Sequence, residues 1–144
     1  MIFNKKPYLF LVILFVSIIF VALIYCFGKN IIFVNEHWFL VDVANTEQAR
    51  NRGLGGRERL CKHCGMLFVF DKSDTYTFWM KDMKFDIDIV WISDDVVADI
   101  SPNISHLTPQ KLIKPSVRVD KVLELPAGSV ELFKIKKGQK VVSY

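Results

Sequence analysis

Residues 65–92 read GMLFVFDKSDTYTFWMKDMKFDIDIVWI, and this stretch decides the fold. Two apolar runs, 66–70 and 76–80, flank Asp71-Lys72-Ser73-Asp74, a polar link of the kind that joins hairpin strands. A third run, 87–92, follows the polar link Lys81-Asp82-Met83-Lys84. No later part of the chain is as dense in apolar and aromatic residues, so these runs predict the core sheet.

Working outward, residues 38–44 (WFLVDVA) read as a strand before the central runs. Asn45-Thr46-Glu47-Gln48 has the pattern of a capping box, with Asn45 as N-cap and Gln48 three residues on, opening a short helix. Gly53 ends that helix by taking a backbone conformation that other residues avoid. Leu54-Gly55-Gly56-Arg57 is a flexible loop carrying a positive charge. On the other side, Ser93-Asp94-Asp95 turns the chain into a strand at 96–100, and 101–115, with two prolines, reads as a long loop. A strand at 119–125 stops at Pro126-Ala127-Gly128. Ser129 caps a short helix, and Lys137-Gly138 turns into a last strand at 141–143. Roughly six short strands and two short helices, with no βαβ alternation, argue a strand-rich α+β fold. The expectation is a compact, mostly antiparallel sheet or partial barrel.

Ahead of this domain (38–144) and a linker (30–37) lies an apolar block within residues 1–29. Residues 8–27 carry no formal charge. As a helix they extend about 30 Å, the thickness of a bilayer's hydrocarbon core. Lys5 and Lys6 precede the block and Lys29 follows it, so the positive-inside rule puts the N-terminus in the cytoplasm. A cleaved signal peptide is the competing reading, but its apolar region runs only about 7–15 residues. The expectation is therefore a single-pass signal-anchor in the cell (inner) membrane through residues 8–27, with the domain extracytoplasmic.

The net charge of +4 does not make the domain a nucleic-acid binder. Lys5, Lys6 and Lys29 account for three of those charges, and a phosphate-binding surface needs a clustered excess on the domain itself. No nucleic-acid partner is expected.

Five motifs carry a resemblance. Arg52-Gly53-Leu54-Gly55-Gly56-Arg57, Gly65-Met66-Leu67-Phe68-Val69-Phe70, Phe78-Trp79-Met80-Lys81-Asp82-Met83, Asp88-Ile89-Val90 and Leu123-Glu124-Leu125-Pro126-Ala127-Gly128 resemble, in order and spacing, the domain of unknown function 192. The resemblance covers roughly 38–144. It implies a small strand-rich domain, commonly behind a signal peptide or anchor, and it implies no established activity. The family pattern has Asn-Thr where this chain has Asp82-Met83, and Pro-Leu where it has Asp86-Ile87. The Cys61-Lys62-His63-Cys64 insert is not part of the usual motif.

Asp88 is the first candidate for chemistry. A strand at 87–92 places Asp86, Asp88 and Val90 on one face, and an aspartate among apolar neighbours needs a partner. Lys81 and Arg57 are the cations within reach. They either close a buried ion pair or, with Asp88 as base, form a cleft that holds a substrate carboxylate or phosphate. Trp79 is the residue of Phe78-Trp79-Met80 expected to stand exposed as an apolar platform. Glu124, between Leu123 and Leu125, is expected to face outward. Cys61 and Cys64 suit a disulfide outside the cytoplasmic membrane, or a redox pair whose thiols nearby cations activate. A zinc site would need His63, His106 or His37 as well, and His63 between the cysteines is poorly placed. No metal or cofactor is expected.

The leading reading is a membrane-anchored, extracytoplasmic domain that binds a ligand or partner around Arg57, Trp79, Lys81 and Asp88. A hydrolase of envelope sugars at the same cleft, with Asp88 and Lys81 as catalytic candidates, is the second reading. A thiol-redox or metal module at Cys61 and Cys64 is the third.

Overall fold

The computed structural model describes residues 11–19 and 30–143. Seven strands build one sheet: β1 (Asn30–Val34), β2 (His37–Ala44), β3 (Cys64–Asp74), β4 (Ile87–Ser93), β5 (Val96–Ile104), β6 (Val119–Pro126) and β7 (Val141–Ser143). Their order across the sheet is β5-β4-β6-β3-β2-β1-β7. Two short helices interrupt them, α1 (Glu47–Arg52) and α2 (Ser129–Leu132). All neighbouring strands run antiparallel except β2 and β3, which run parallel. A parallel pair needs a crossover, and α1 with the loop 53–63 supplies it. The sequence reading that finds no βαβ alternation misses this single crossover.

The sheet curls until its edges meet. β5 and β7 are the two ends of the strand order, yet Val96 and Lys140 form a bridge between them. The Val97 amide donates to the Gln139 carbonyl at 2.9 Å, and the Val141 amide to the Asp95 carbonyl at 2.8 Å. The result is a strand-rich α+β half-barrel.

Four local expectations are corrected. Residues 30–37, read as a linker, hold β1 and the turn of the β1–β2 hairpin, with every ladder position from Asn30↔Val41 to Val34↔His37 filled. The polar link at 71–74 is no hairpin turn, because β3 continues through it to Asp74, with its register against β6 shifted between Val69 and Asp74. The run 76–80 is not a regular strand: only Phe78 pairs, with Ile113, in an isolated bridge. Helix α1 is capped by Thr46, whose hydroxyl accepts from the Ala49 amide at 3.2 Å, one residue later than the capping-box reading.

The anchor expected over 8–27 lies mostly outside the described residues. Residues 11–19 are helical, apolar and exposed. Among the described residues no helix is long and apolar enough to cross a membrane.

Side chains alternate between two apolar clusters, one on each face of the sheet, as the two-residue period of strands requires. On β4, Val90 and Ile92 join the cluster built on Phe39, Leu123 and Phe133. Ile87, Ile89 and Trp91 join the opposite one, with Phe68, Met80 and Val122. β6 lies between β4 and β3, in register Asp88↔Leu125, Ile89↔Glu124 and Met66↔Glu124. That register fixes the placement of the two buried carboxylates in the middle of the sheet. Asp88 goes to the Val90 face and Glu124 to the Val122 face.

Candidate functional site

On the Val122 face, a cleft of about 210 Å³ opens between α1 and the chain segment 76–83. Its walls are aromatic because β3 and that segment face each other there. Phe70 stacks on Tyr76 with ring centroids 3.6 Å apart, and Phe68 meets Phe78 edge-on at 4.9 Å. Phe78 in turn packs edge-on against the buried Trp91 at 5.4 Å, which anchors the wall to β4. Trp79 stands 54% exposed at the mouth, while its neighbour Met80 is buried in the core.

Glu124 lies at the base of this cleft. It is buried, and its Oε2 is enclosed with no hydrogen-bond partner among the described residues. Burial pushes its carboxyl up to about 8, and the opposing pull of the Arg57 charge does not offset this. Gly65 allows the arrangement: a Cβ there would stand 2.6 Å from the Glu124 carbonyl oxygen, so only glycine lets β3 lie this close to β6.

Cations ring the mouth. Arg50 is fully committed: it donates to the carbonyls of Asn45 at 3.0 Å and Val69 at 2.9 Å and lies over the Phe70 ring at 5.2 Å. Arg52 and Lys81 also line the cleft, and neither side chain makes a hydrogen bond or ion pair within the described residues. The glycine loop closes one end, because the Gly56 amide donates to the Asp82 carbonyl at 2.9 Å and ties the loop to the 81–82 turn.

The sequence-predicted constellation is split. Trp79 and Lys81 line the cleft. Arg57 is held by Asp42, Nη1 to Oδ2 at 2.7 Å. Asp88 is on the other face of the sheet, and its partners are backbone amides, not Lys81 or Arg57. Its Oδ1 accepts from the Asn103 amide and its Oδ2 from the Val130 amide, both at 2.7 Å. Val130 lies in the first turn of α2, whose N-cap Gly128 has no side chain to offer. Asp88 thus supplies, from β4, the cap that the helix lacks locally. Asp86, expected on the same face, has a partner of its own. It accepts from the His106 amide at 2.8 Å and meets the His106 ring at 2.6 Å, and the amide bond first, then the ring, hold its carboxyl below the usual range.

Cys61 and Cys64 are joined in a disulfide at the start of β3. His63, between them, stacks on Trp38 at 4.6 Å and bonds the Trp38 carbonyl through Nδ1, so its ring serves packing. Among the described residues no group of three or more His, Cys, Asp or Glu side chains converges to hold a metal ion.

Glu124 is the residue that sequence reasoning misplaces. An outward-facing glutamate is expected, but β6 is an interior strand covered on both faces. The signal was present: Val122 and Leu123 are adjacent apolar residues of opposite facing, the mark of a strand buried on both sides.

Two solved structures share this architecture. A Sinorhizobium meliloti 1021 protein described as a candidate transcription regulator is 26% identical, with a TM-score of 0.74 over 80% of this chain and 92% of its own. A Novosphingobium aromaticivorans protein of unknown function is likewise 26% identical, with a TM-score of 0.72 over 79% of this chain and 83% of its own. No curated protein matches the chain. The model of the DUF192 family, described as "Uncharacterized ACR", matches residues 30–143. The chain belongs to the DUF192 family.

Proposed function

We propose that residues 30–143 form a small-molecule-binding module, held at the outer face of the cell membrane by the apolar segment 8–27. The observation that carries the binding reading is the buried, unpartnered Oε2 of Glu124 at the base of an aromatic cleft. A buried polar group without a partner costs stability, and folds keep such groups where a ligand completes them. A cleft of 210 Å³ suits a molecule of amino-acid or monosaccharide size. The anchor reading is supported by the exposed apolar side chains of 11–19, such as Leu11, Phe15 and Ile18, which need apolar surroundings. Hydrolysis through Asp88 is not carried forward, because that carboxylate is fully enclosed and both oxygens accept amides.

The anchor is tested by fractionating cells that express the full chain. Alkali-resistant sedimentation with membranes, lost on deletion of 8–27, is the expected result, and a soluble full chain overturns it. The cleft is tested by thermal melting of the full chain in detergent against amines, carboxylates, zwitterions and neutral sugars. At least one class raises the melting temperature saturably, and Trp79→Ala weakens that effect. The double variant Cys61→Ser, Cys64→Ser retains it, since the disulfide is no part of the cleft; its loss there would favour the thiol reading. Stabilisation by no class, or stabilisation untouched by Trp79→Ala, sinks the binding module.

A further inference from the structure

Resting on the binding reading above, we infer that the cleft takes a small zwitterion, with its ammonium group on Glu124 and its anionic end toward Lys81 and Arg52. The geometry of charge argues this class. The base holds one carboxyl group whose Oε2 has no donor, and the Arg57 cation near it is already paired with Asp42. An ammonium group brings three N–H donors and a compact positive charge to that oxygen. The walls around it, Phe68, Phe78 and Tyr76, are aromatic and carry no competing hydrogen-bond acceptor except the Tyr76 hydroxyl. That hydroxyl donates its proton to the Lys72 carbonyl at 2.5 Å, so toward the cleft its oxygen can only accept, as an ammonium group requires. Aromatic surfaces add favourable interaction with a desolvated cation.

The mouth has the opposite polarity. Glu47, Arg50, Arg52 and Lys81 line it, and of its three cations only Arg50 is spent on internal contacts. A bare amine would leave Arg52 and Lys81 facing its positive charge, and a bare carboxylate would bring no cation to Glu124. A neutral sugar uses neither. A molecule with a cation at one end and an anion at the other matches both ends of the cleft. Its binding also moves a proton: the neutral Glu124 carboxyl releases H⁺ to solvent as the ammonium group settles against the carboxylate. The carboxyl's position at about 8 means that it is mostly protonated at neutral pH before binding.

The test is calorimetric titration of the full chain in detergent near pH 7, in phosphate and in Tris, buffers of different ionisation heat. The probes are ω-aminocarboxylates from glycine to 6-aminohexanoate, each against its matching alkylamine and alkanoate, with N-acetylglucosamine as the neutral probe. One aminocarboxylate binds at least about tenfold tighter than its two one-ended analogues and releases about one proton per molecule bound. Glu124→Gln lowers its affinity about tenfold or more and abolishes proton release. Lys81→Met brings it down toward the alkylamine. Tighter binding of alkanoates or of the sugar without proton release overturns the zwitterion and leaves the binding module standing. Equal affinity in Glu124→Gln, or no binding by any amine-bearing probe, also overturns it.

Discussion

Glu124→Gln raises the melting temperature of the unliganded full chain, and the gain grows with pH. An acid whose folded pKa lies above its unfolded value costs stability wherever the unfolded chain has lost the proton and the folded one has not. The ordinary glutamate value is 4.5 and burial pushes Glu124 to about 8. The penalty is thus absent below 4.5, accrues through the interval, and is complete above about 8. At 1.36 kcal/mol per pKa unit the full penalty is about 5 kcal/mol. Glutamine has the same shape and no proton to lose, so it removes this term. Near pH 9 the variant should melt about 10 °C or more above the wild type, and near pH 5 within a few degrees of it. Melting curves of both proteins across that range check the claim. Curves that stay parallel would mean that Glu124 is ionised and paired in the folded protein, and both the cleft's open valence and its ligand class would lose their basis. Keeping a glutamate here at such cost is the pattern expected of a functional site, where stability is given up for binding.

How much of this was legible in the sequence differs from residue to residue. The strand-rich half-barrel followed from the apolar runs and their turns, and five motifs in order pointed to the family. The exposure of Trp79 beside a buried Met80 follows from alternation alone. The Asp88 problem was also visible, because an aspartate inside Ile87-Asp88-Ile89-Val90 has to be satisfied. Its solution was not. Backbone amides have no residue letter, so the sequence offers only the nearest cations, Lys81 and Arg57, as partners. A one-residue register settles the matter: Asp88 pairs with Leu125 and Ile89 with Glu124, so the two carboxylates leave adjacent strands on opposite faces. Sequence periodicity gives the alternation within each strand but not which strands are neighbours. For the same reason β6 could not be known as an interior strand from its own letters, although Val122-Leu123 hinted at it. The strand at 30–34 reads as a linker in the sequence because the apolar block before it dominates the pattern. The link between Asp88 and the Leu123–Gly128 motif is the clearest gain from the structure. Gly128 begins a helix without a capping side chain, and Asp88 supplies one from another strand.

That cap makes the second large effect a loss. Asp88→Ala removes the acceptor for the Asn103 and Val130 amides, both held at 2.7 Å by an enclosed carboxylate. Hydrogen bonds to charged groups contribute about 1.5–3 kcal/mol each, so with two of them the variant loses about 3–6 kcal/mol. Its melting temperature should fall by more than about 10 °C. Asp88→Asn keeps one oxygen but turns an NH₂ group toward one of the two amide donors, so it falls by roughly half as much. Lys81→Met is the discriminating control. Lys81 is exposed and makes no ion pair among the described residues, so its substitution should change stability by no more than about 0.5 kcal/mol. A buried Asp88–Lys81 ion pair would instead make both substitutions costly, by about 3–5 kcal/mol each. Comparable drops for Asp88→Asn and Lys81→Met would therefore restore the ion pair and dismantle the cap. A steep fall for the aspartate beside a flat response for the lysine divides the two roles by face. Asp88 then holds β4, β5 and the start of α2 together from one side of the sheet, while Lys81 stands free on the other for whatever enters the cleft above Glu124.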